Sequence, residues 1–199
     1  MKEVEYMSLL TRVRWGIVLL AAALLATFGT AGAVAPGECK GLPVTQPVGT
    51  NGDDVIAGTP GDDVINARDG DDTVTPDAGA DVVCGDSGDD KVVHSPGNDL
   101  LNGGPGDDDL EGGVGNDILE GASGDDRLQG GKGNDMLGGG PGDDILKGAQ
   151  DDDQLSGGIG DDILQGGEGA DILNGGDGFD QCSDEDGGTI FRNCEVILP

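Results

Sequence analysis

Between residues 50 and 184 the apolar side chains fall on a nine-residue beat. Ile56, Ile65, Val74, Val83, Val92, Leu101, Leu110, Leu119, Leu128, Leu137, Leu146, Leu155, Leu164 and Leu173 follow at intervals of nine, and Cys182 takes the last place. One unit reads Gly112, Gly113, Val114, Gly115, Asn116, Asp117, Ile118, Leu119, Glu120. We number its positions one to nine. The triplet around position eight predicts a very short strand with one side chain pointing inward. The glycine-rich stretch before it predicts a tight turn, because glycine reaches positive φ without steric cost. Six residues of turn and three of strand make half a coil. Two units then close one coil of a right-handed parallel solenoid with two small sheets. The fifteen units predict an all-β body of about seven and a half coils. Its core would be thin, one side chain deep from each sheet.

The polar positions are as regular as the apolar ones. Position six is Asp in all fifteen units: Asp54, Asp63, Asp72, Asp81, Asp90, Asp99, Asp108, Asp117, Asp126, Asp135, Asp144, Asp153, Asp162, Asp171 and Asp180. Position four is Gly in fourteen, the exception being Asp151. Position five is acidic in nine units, Asp53, Asp62 and Asp71 among them, and Asn98, Asn116 and Asn134 fill three more. The position-five side chains are expected to face solvent and to add attraction for cations more than ligation.

Charge sharpens the picture. The chain carries 40 acidic residues against 10 basic ones, 41 glycines, and a net charge of −30. A composition this acidic and poor in aromatics belongs with disordered chains. The periodicity of both its apolar residues and its carboxylates argues for order once a counter-cation converts repulsion into cross-links. Nucleic acid and anionic membranes are excluded as partners on charge. Stacked turns, 18 residues apart, would place carboxylates and free backbone carbonyls together. These are hard oxygen donors, and Ca²⁺ takes six to eight of them in adaptable geometry. Transition metals prefer imidazole or thiolate, and there is one His.

The unit Gly-Gly-x-Gly-x-Asp-x-apolar-x resembles the RTX, or haemolysin-type, calcium-binding nonapeptide repeat. The resemblance covers residues 50–184 and implies a parallel β-roll that folds on binding calcium between its turns. It further implies that the fifteen position-six Asp side chains are ligands, together with backbone carbonyls such as those of Gly103, Gly112, Gly130, Gly139, Gly157 and Gly166. Fifteen units offer thirteen neighbouring same-side pairs of turns, a ceiling on the ions held. The pattern is uneven. From Gly103 onward the double glycine is well kept. Earlier, Ala67, Pro76 and His94 hold position one, and Asp77, Asp86 and Ser95 hold position two. Sites within 67–96 are expected to be weaker or distorted. Asp151 is expected to keep its turn, since Asp tolerates left-handed backbone better than most residues.

Residues 1–33 have another character. Arg12 and Arg14 precede an apolar run from Trp15 to Phe28, and Ala31-Gly32-Ala33 fits a secretory signal cleavage site after Ala33. An uncleaved membrane anchor is the competing reading, disfavoured because the apolar core is short of the roughly 20 residues a span needs. Met7 is an alternative start, since it would remove Glu3 and Glu5 from the positive region. The expected product is secreted, with no membrane association after cleavage. Residues 34–49 read as an N-terminal cap segment and 185–199 as a C-terminal cap, since an open stack needs covered ends. Export favours disulfides among the four cysteines. Cys182–Cys194 would pin the tail over the open end, and Cys39–Cys84 would tie down the N-terminal segment.

Position seven also points outward. Val64, Val82, Leu100, Ile118, Met136, Gln154 and Ile172 give one face a nearly continuous apolar stripe. It is read either as strand propensity on a partly covered surface or as a docking face for the N-terminal segment or a partner. His94 has no nucleophile pattern beside it, so no catalytic residue is assigned. The function expected is that of a secreted, non-enzymatic calcium-binding protein. The alternative is a calcium-rigidified module for adhesion or for a surface or matrix, with a macromolecular partner.

Overall fold

A computed structural model describes residues 38–39, 42–44, 48–93, 95–185 and 188–198, with the backbone alone for 38, 39, 43 and 196–198. The expected signal sequence and His94 lie outside the described residues. Those described contain strands and no helix, so none of their helices could cross a membrane.

The strands stack in 18-residue register. Leu110 pairs with Leu128 and Leu128 with Leu146 in one sheet, while Leu101, Leu119 and Leu137 align in the other. All these pairings are parallel, and successive units alternate between a ten-stranded and an eight-stranded sheet. The chain is thus a parallel β-solenoid of about eight turns, consistent with the β-roll expected. The number exceeds seven and a half because the tail continues the winding. Ile190–Arg192 pairs with Ile172–Asn174, and Val196–Leu198 with Gln181–Ser183.

The strands are longer than the three residues expected. In the regular half they span six, as in Asp109–Val114 and Ile118–Ser123. The reason is that positions two and three also pair with the coils above and below, as Gly113 does with Gly131 and Val114 with Lys132. Position one is skipped, and the turn proper shrinks to positions four to six. In the early part the ten-stranded sheet keeps shorter pieces, Val55–Ala57, Thr73–Thr75 and Lys91–Val92.

The position-eight residues form one buried file from Ile56 to Cys182, with Phe191 and Cys194 of the tail packed against its end. Cys182 and Cys194 form the expected disulfide, with Cα atoms 5.9 Å apart. A second, smaller apolar cluster lies outside this file. Val82 and Cys84 are buried there, with Leu42, Val64 and Leu100 packed against them. Leu42 belongs to a short hairpin of Glu38–Cys39 and Leu42–Pro43, so the chain's own N-terminal segment covers the early end of the apolar stripe. Further along, Ile118, Met136 and Ile172 are only half-buried. Cys84 is buried and disulfide-bonded. The side chain of its expected partner, Cys39, is outside the described residues.

Candidate metal centre

Each turn is built around its position-six carboxylate. The strand that follows fixes the Asp backbone, because its carbonyl accepts the N–H of position seven in the next coil, as Asp99 does from Ile118 at 2.9 Å. The side chain then folds inward, and from Asp72 to Asp180 every position-six Asp is at most 2 % exposed. One oxygen has a protein partner. Asp117 Oδ1 accepts the backbone N–H of Asp99 at 2.8 Å, and Asp126 Oδ1 that of Asp108 at 2.8 Å. The same bond recurs along both edges of the stack.

The other oxygen has none in most turns. In twelve of the fifteen, Oδ2 is buried without a hydrogen-bond partner. A buried polar atom left unsatisfied costs roughly 1–3 kcal/mol, and more when charged. Burial accordingly pushes these carboxyls upward, to about 8 for Asp108 and about 7 for Asp117, Asp144, Asp153 and Asp162. Neighbouring carboxylates add to the rise. A fold with twelve buried, half-satisfied carboxylates is incomplete by itself.

What surrounds the unpartnered oxygen is oxygen and space. A Cβ placed on Gly112 would lie 2.5 Å from Asp117 Oδ2 and 2.8 Å from the carbonyl oxygen of Gly130, one coil on. The glycine therefore keeps open a point towards which a carboxylate and a carbonyl converge. Gly139, Gly148 and Gly157 sit likewise between their own Asp and the carbonyls of Gly157, Gly166 and Gly175. Gly103 and Gly130 face Asp108 and Asp135 in the same way. At the end of the stack the tail stands in for a missing coil. Asn193 offers its carbonyl oxygen at Gly175, and Glu195 Oε2 accepts the Asp180 N–H at 2.7 Å. The converging groups are carboxylate and carbonyl oxygens, the hard donors that Ca²⁺ takes in adaptable geometry, so the donor set fits calcium. Among the described residues no group of three metal-binding side chains occurs. A cation held here would draw mainly on backbone carbonyls, donors that suit Ca²⁺ better than thiolate- or imidazole-seeking metals.

Position five departs from expectation. Its side chains are exposed, but they bond backbone amides instead of only adding charge. Asn98 Oδ1 accepts the N–H of Asn116 and Asp107 Oδ1 that of Asp125, each at 2.9 Å. These bonds run in the opposite direction to those of position six, so two side-chain ladders brace every regular turn. Asp151 takes φ 75 and keeps its turn as expected.

Three position-six residues are not left open. Asp54 Oδ2 accepts the Thr50 N–H and hydroxyl at 2.6 and 2.9 Å. Asp63 Oδ2 accepts those of Thr59 at 2.7 and 2.9 Å. Asp99 Oδ2 accepts the Ser95 hydroxyl at 2.7 Å. The Thr50 bonds hold the Asp54 carboxyl below its usual range. Sequence reasoning flagged Ser95 but passed over Thr50 and Thr59. The available signal was a β-branched residue at the second position, where a left-handed backbone is required.

Comparison with known proteins gives one family. The model of the RTX calcium-binding nonapeptide repeat matches residues 48–83, 77–92, 85–119, 111–146, 120–155 and 147–182. No curated protein matches the chain. With matched segments running from 48 to 182 over a solenoid in 18-residue register, the chain belongs to the RTX calcium-binding nonapeptide repeat family.

Proposed function

We propose that this chain is a secreted calcium-ion-binding protein without catalytic activity, which completes its fold only when calcium is present. The carrying observation is the row of twelve buried Oδ2 atoms without partners. The ligands are drawn from the position-six carboxylates between Asp72 and Asp180, Asp99 apart, with carbonyls of the glycine-rich turns. Bound calcium supplies the positive charge and the oxygen coordination that these carboxylates lack. The chain's own part is to hold Oδ1 on a backbone amide, which aims Oδ2 at the carbonyl of the next coil. Glycine at position one leaves that approach clear. A ligand that binds only the folded form stabilises it by about 2.7 kcal/mol at a hundredfold excess over its dissociation constant. Several coupled sites would make folding steep in calcium. Secretion rests on the Arg12-to-Ala33 segment and fits this scheme, since a chain short of calcium does not complete its fold before export.

Circular dichroism of residues 34–199 tests the reading. The expected result is weak β signal in chelator and full signal on adding calcium, with no response to magnesium at equal concentration. A complete β spectrum in chelator at pH 8 would sink it.

A further inference from the structure

The fifteen turns are of two kinds, and the boundary between them is sharp. At position two the backbone has positive φ in twelve turns, from Arg68 at 86° to Gly176 at 126°. These are the same twelve turns whose Asp Oδ2 lacks a partner. The other three carry Thr50, Thr59 and Ser95, none of them with positive φ. Their hydroxyls sit on the carboxylate oxygen that elsewhere stays open. A hydroxyl proton there takes the place of a cation.

Two more turns are closed by carbon. Ala67 and Pro76 hold position one in the turns of Asp72 and Asp81, and both are buried. Each carries the Cβ that the glycines omit, at the point where a Cβ on Gly85 would come 2.5 Å from the carbonyl oxygen of Gly103. Asp72 and Asp81 keep an unpartnered oxygen, with a Cβ at the position that is glycine beside the open ones. Stacked turns are 18 residues apart, so each edge of the solenoid can be read separately. Along one edge Asp54 and Asp72 are closed, and Asp90 is the first open turn. Along the other, Asp63, Asp81 and Asp99 are closed, and Asp117 is the first open one. Each edge is divided once.

The closed region also holds staples of its own, apart from the Cys182–Cys194 bridge at the far end. The second apolar cluster, Val82 and Cys84 with Leu42, Val64 and Leu100, lies on these coils. The Cys84 disulfide is there too. Removing cations would leave this part with its hydroxyl bonds, its cross-link and an extra patch of buried surface.

We propose that residues 48–101, the Asp90 turn apart, form a calcium-independent scaffold, and that ion uptake is confined to ten turns: that of Asp90 and the nine from Asp108 to Asp180. This rests on the reading of the position-six carboxylates as calcium ligands. The later coils condense onto an edge that is already folded, so the chain does not nucleate from a wholly disordered state. Hydrogen–deuterium exchange of the full chain, in chelator and in calcium, tests it. Amides within 48–101, the Asp90 turn apart, are expected to be protected in both, and those within 109–183 only in calcium. Equal loss of protection in both parts in chelator, regained together in calcium, overturns the scaffold and leaves calcium binding intact. No calcium effect anywhere overturns the ligand assignment beneath it. Calorimetric titration supplies a second measurement. The parent chain is expected to take ten ions, and Thr59→Gly, which frees Asp63 Oδ2, to take one more. An unchanged count in Thr59→Gly removes the hydroxyl from its role.

Discussion

At Asp117 a single side chain serves two demands that conflict without metal. Oδ1 ties its coil to the Asp99 amide, and Oδ2 is buried with nothing to meet it. The substitution Asp117→Asn separates the two. The amide oxygen can still accept the Asp99 N–H, while the charge and one ligand oxygen are gone. At pH 8, above the value of about 7 to which burial raises Asp117, the variant should hold more structure in chelator. It should be less stable in calcium, by up to about 2.7 kcal/mol at a hundredfold excess over the dissociation constant. Urea denaturation in the two buffers reads both signs. A loss of equal size in both would mean that the carboxylate acts only through its hydrogen bond. The position-five ladder was invisible in sequence for a related reason: Asn98 and Asp107 look like solvated surface until the 18-residue stacking brings an amide to each.

The element most exposed to fraying is the last coil. Its strands, Ile190–Arg192 and Val196–Leu198, follow no repeat, yet they take the register of the units before them. Three contacts impose this. Phe191 pairs with Leu173 at the end of the core file, Glu195 caps the Asp180 amide, and Cys194 bonds to Cys182. The disulfide closes a short loop, and bridges of this kind contribute about 3 kcal/mol by restricting the unfolded chain. Cys194→Ser paired with Cys182→Ala should therefore lower the thermal midpoint in calcium by several degrees. Exchange protection should fall in residues 181–198, with the middle coils unchanged. Protection lost evenly along the whole solenoid would show that the tail governs all the coils and not its own end alone. The Cys182–Cys194 bridge was legible from sequence because Cys182 falls on an inward position and Cys194 follows it in a short apolar tail. The pairing of the tail strands was not, because no periodicity marks them.

For the whole molecule, the proposed calcium ligands are also the carboxyls that hold protons, so the two would compete for the same oxygens. Nine of the buried carboxyls, Asp81, Asp90 and those from Asp108 to Asp162, are raised from an unfolded value of 3.8 to between about 6 and about 8, chiefly by desolvation. Between those limits the folded chain binds more protons than the unfolded one, so stability falls as pH rises. The contribution is complete below the unfolded value and is lost through the range of about 6 to 8. In chelator, acidification from pH 8 to pH 5 should increase the β signal of the metal-free chain. In calcium the signal should stay level over the same range. Calcium binding at pH 7 should also release protons, seen as a dependence of the calorimetric enthalpy on the buffer used. A metal-free chain that loses β structure on acidification over this range would contradict the desolvated state of the carboxyls.

The nine-residue pattern determined the parallel solenoid, its two alternating sheets, the inward file from Ile56 to Cys182 and the identity of the recurring carboxylate. These follow from spacing, because an 18-residue coil leaves no other place for a side chain recurring every nine. The family and its cation were legible for the same reason. The tertiary structure decided what each carboxylate does. Whether Asp Oδ2 is open, held by a hydroxyl or crowded by carbon depends on the backbone angle at position two and on the Cβ at position one, five residues before the Asp itself. It depends also on a carbonyl 18 residues away. Thr50 and Thr59 are conservative-looking departures in the sequence, yet they change φ and fill the one vacant bond. A one-dimensional repeat shows which residues recur; the stacking of coils determines which of them still have an oxygen to offer.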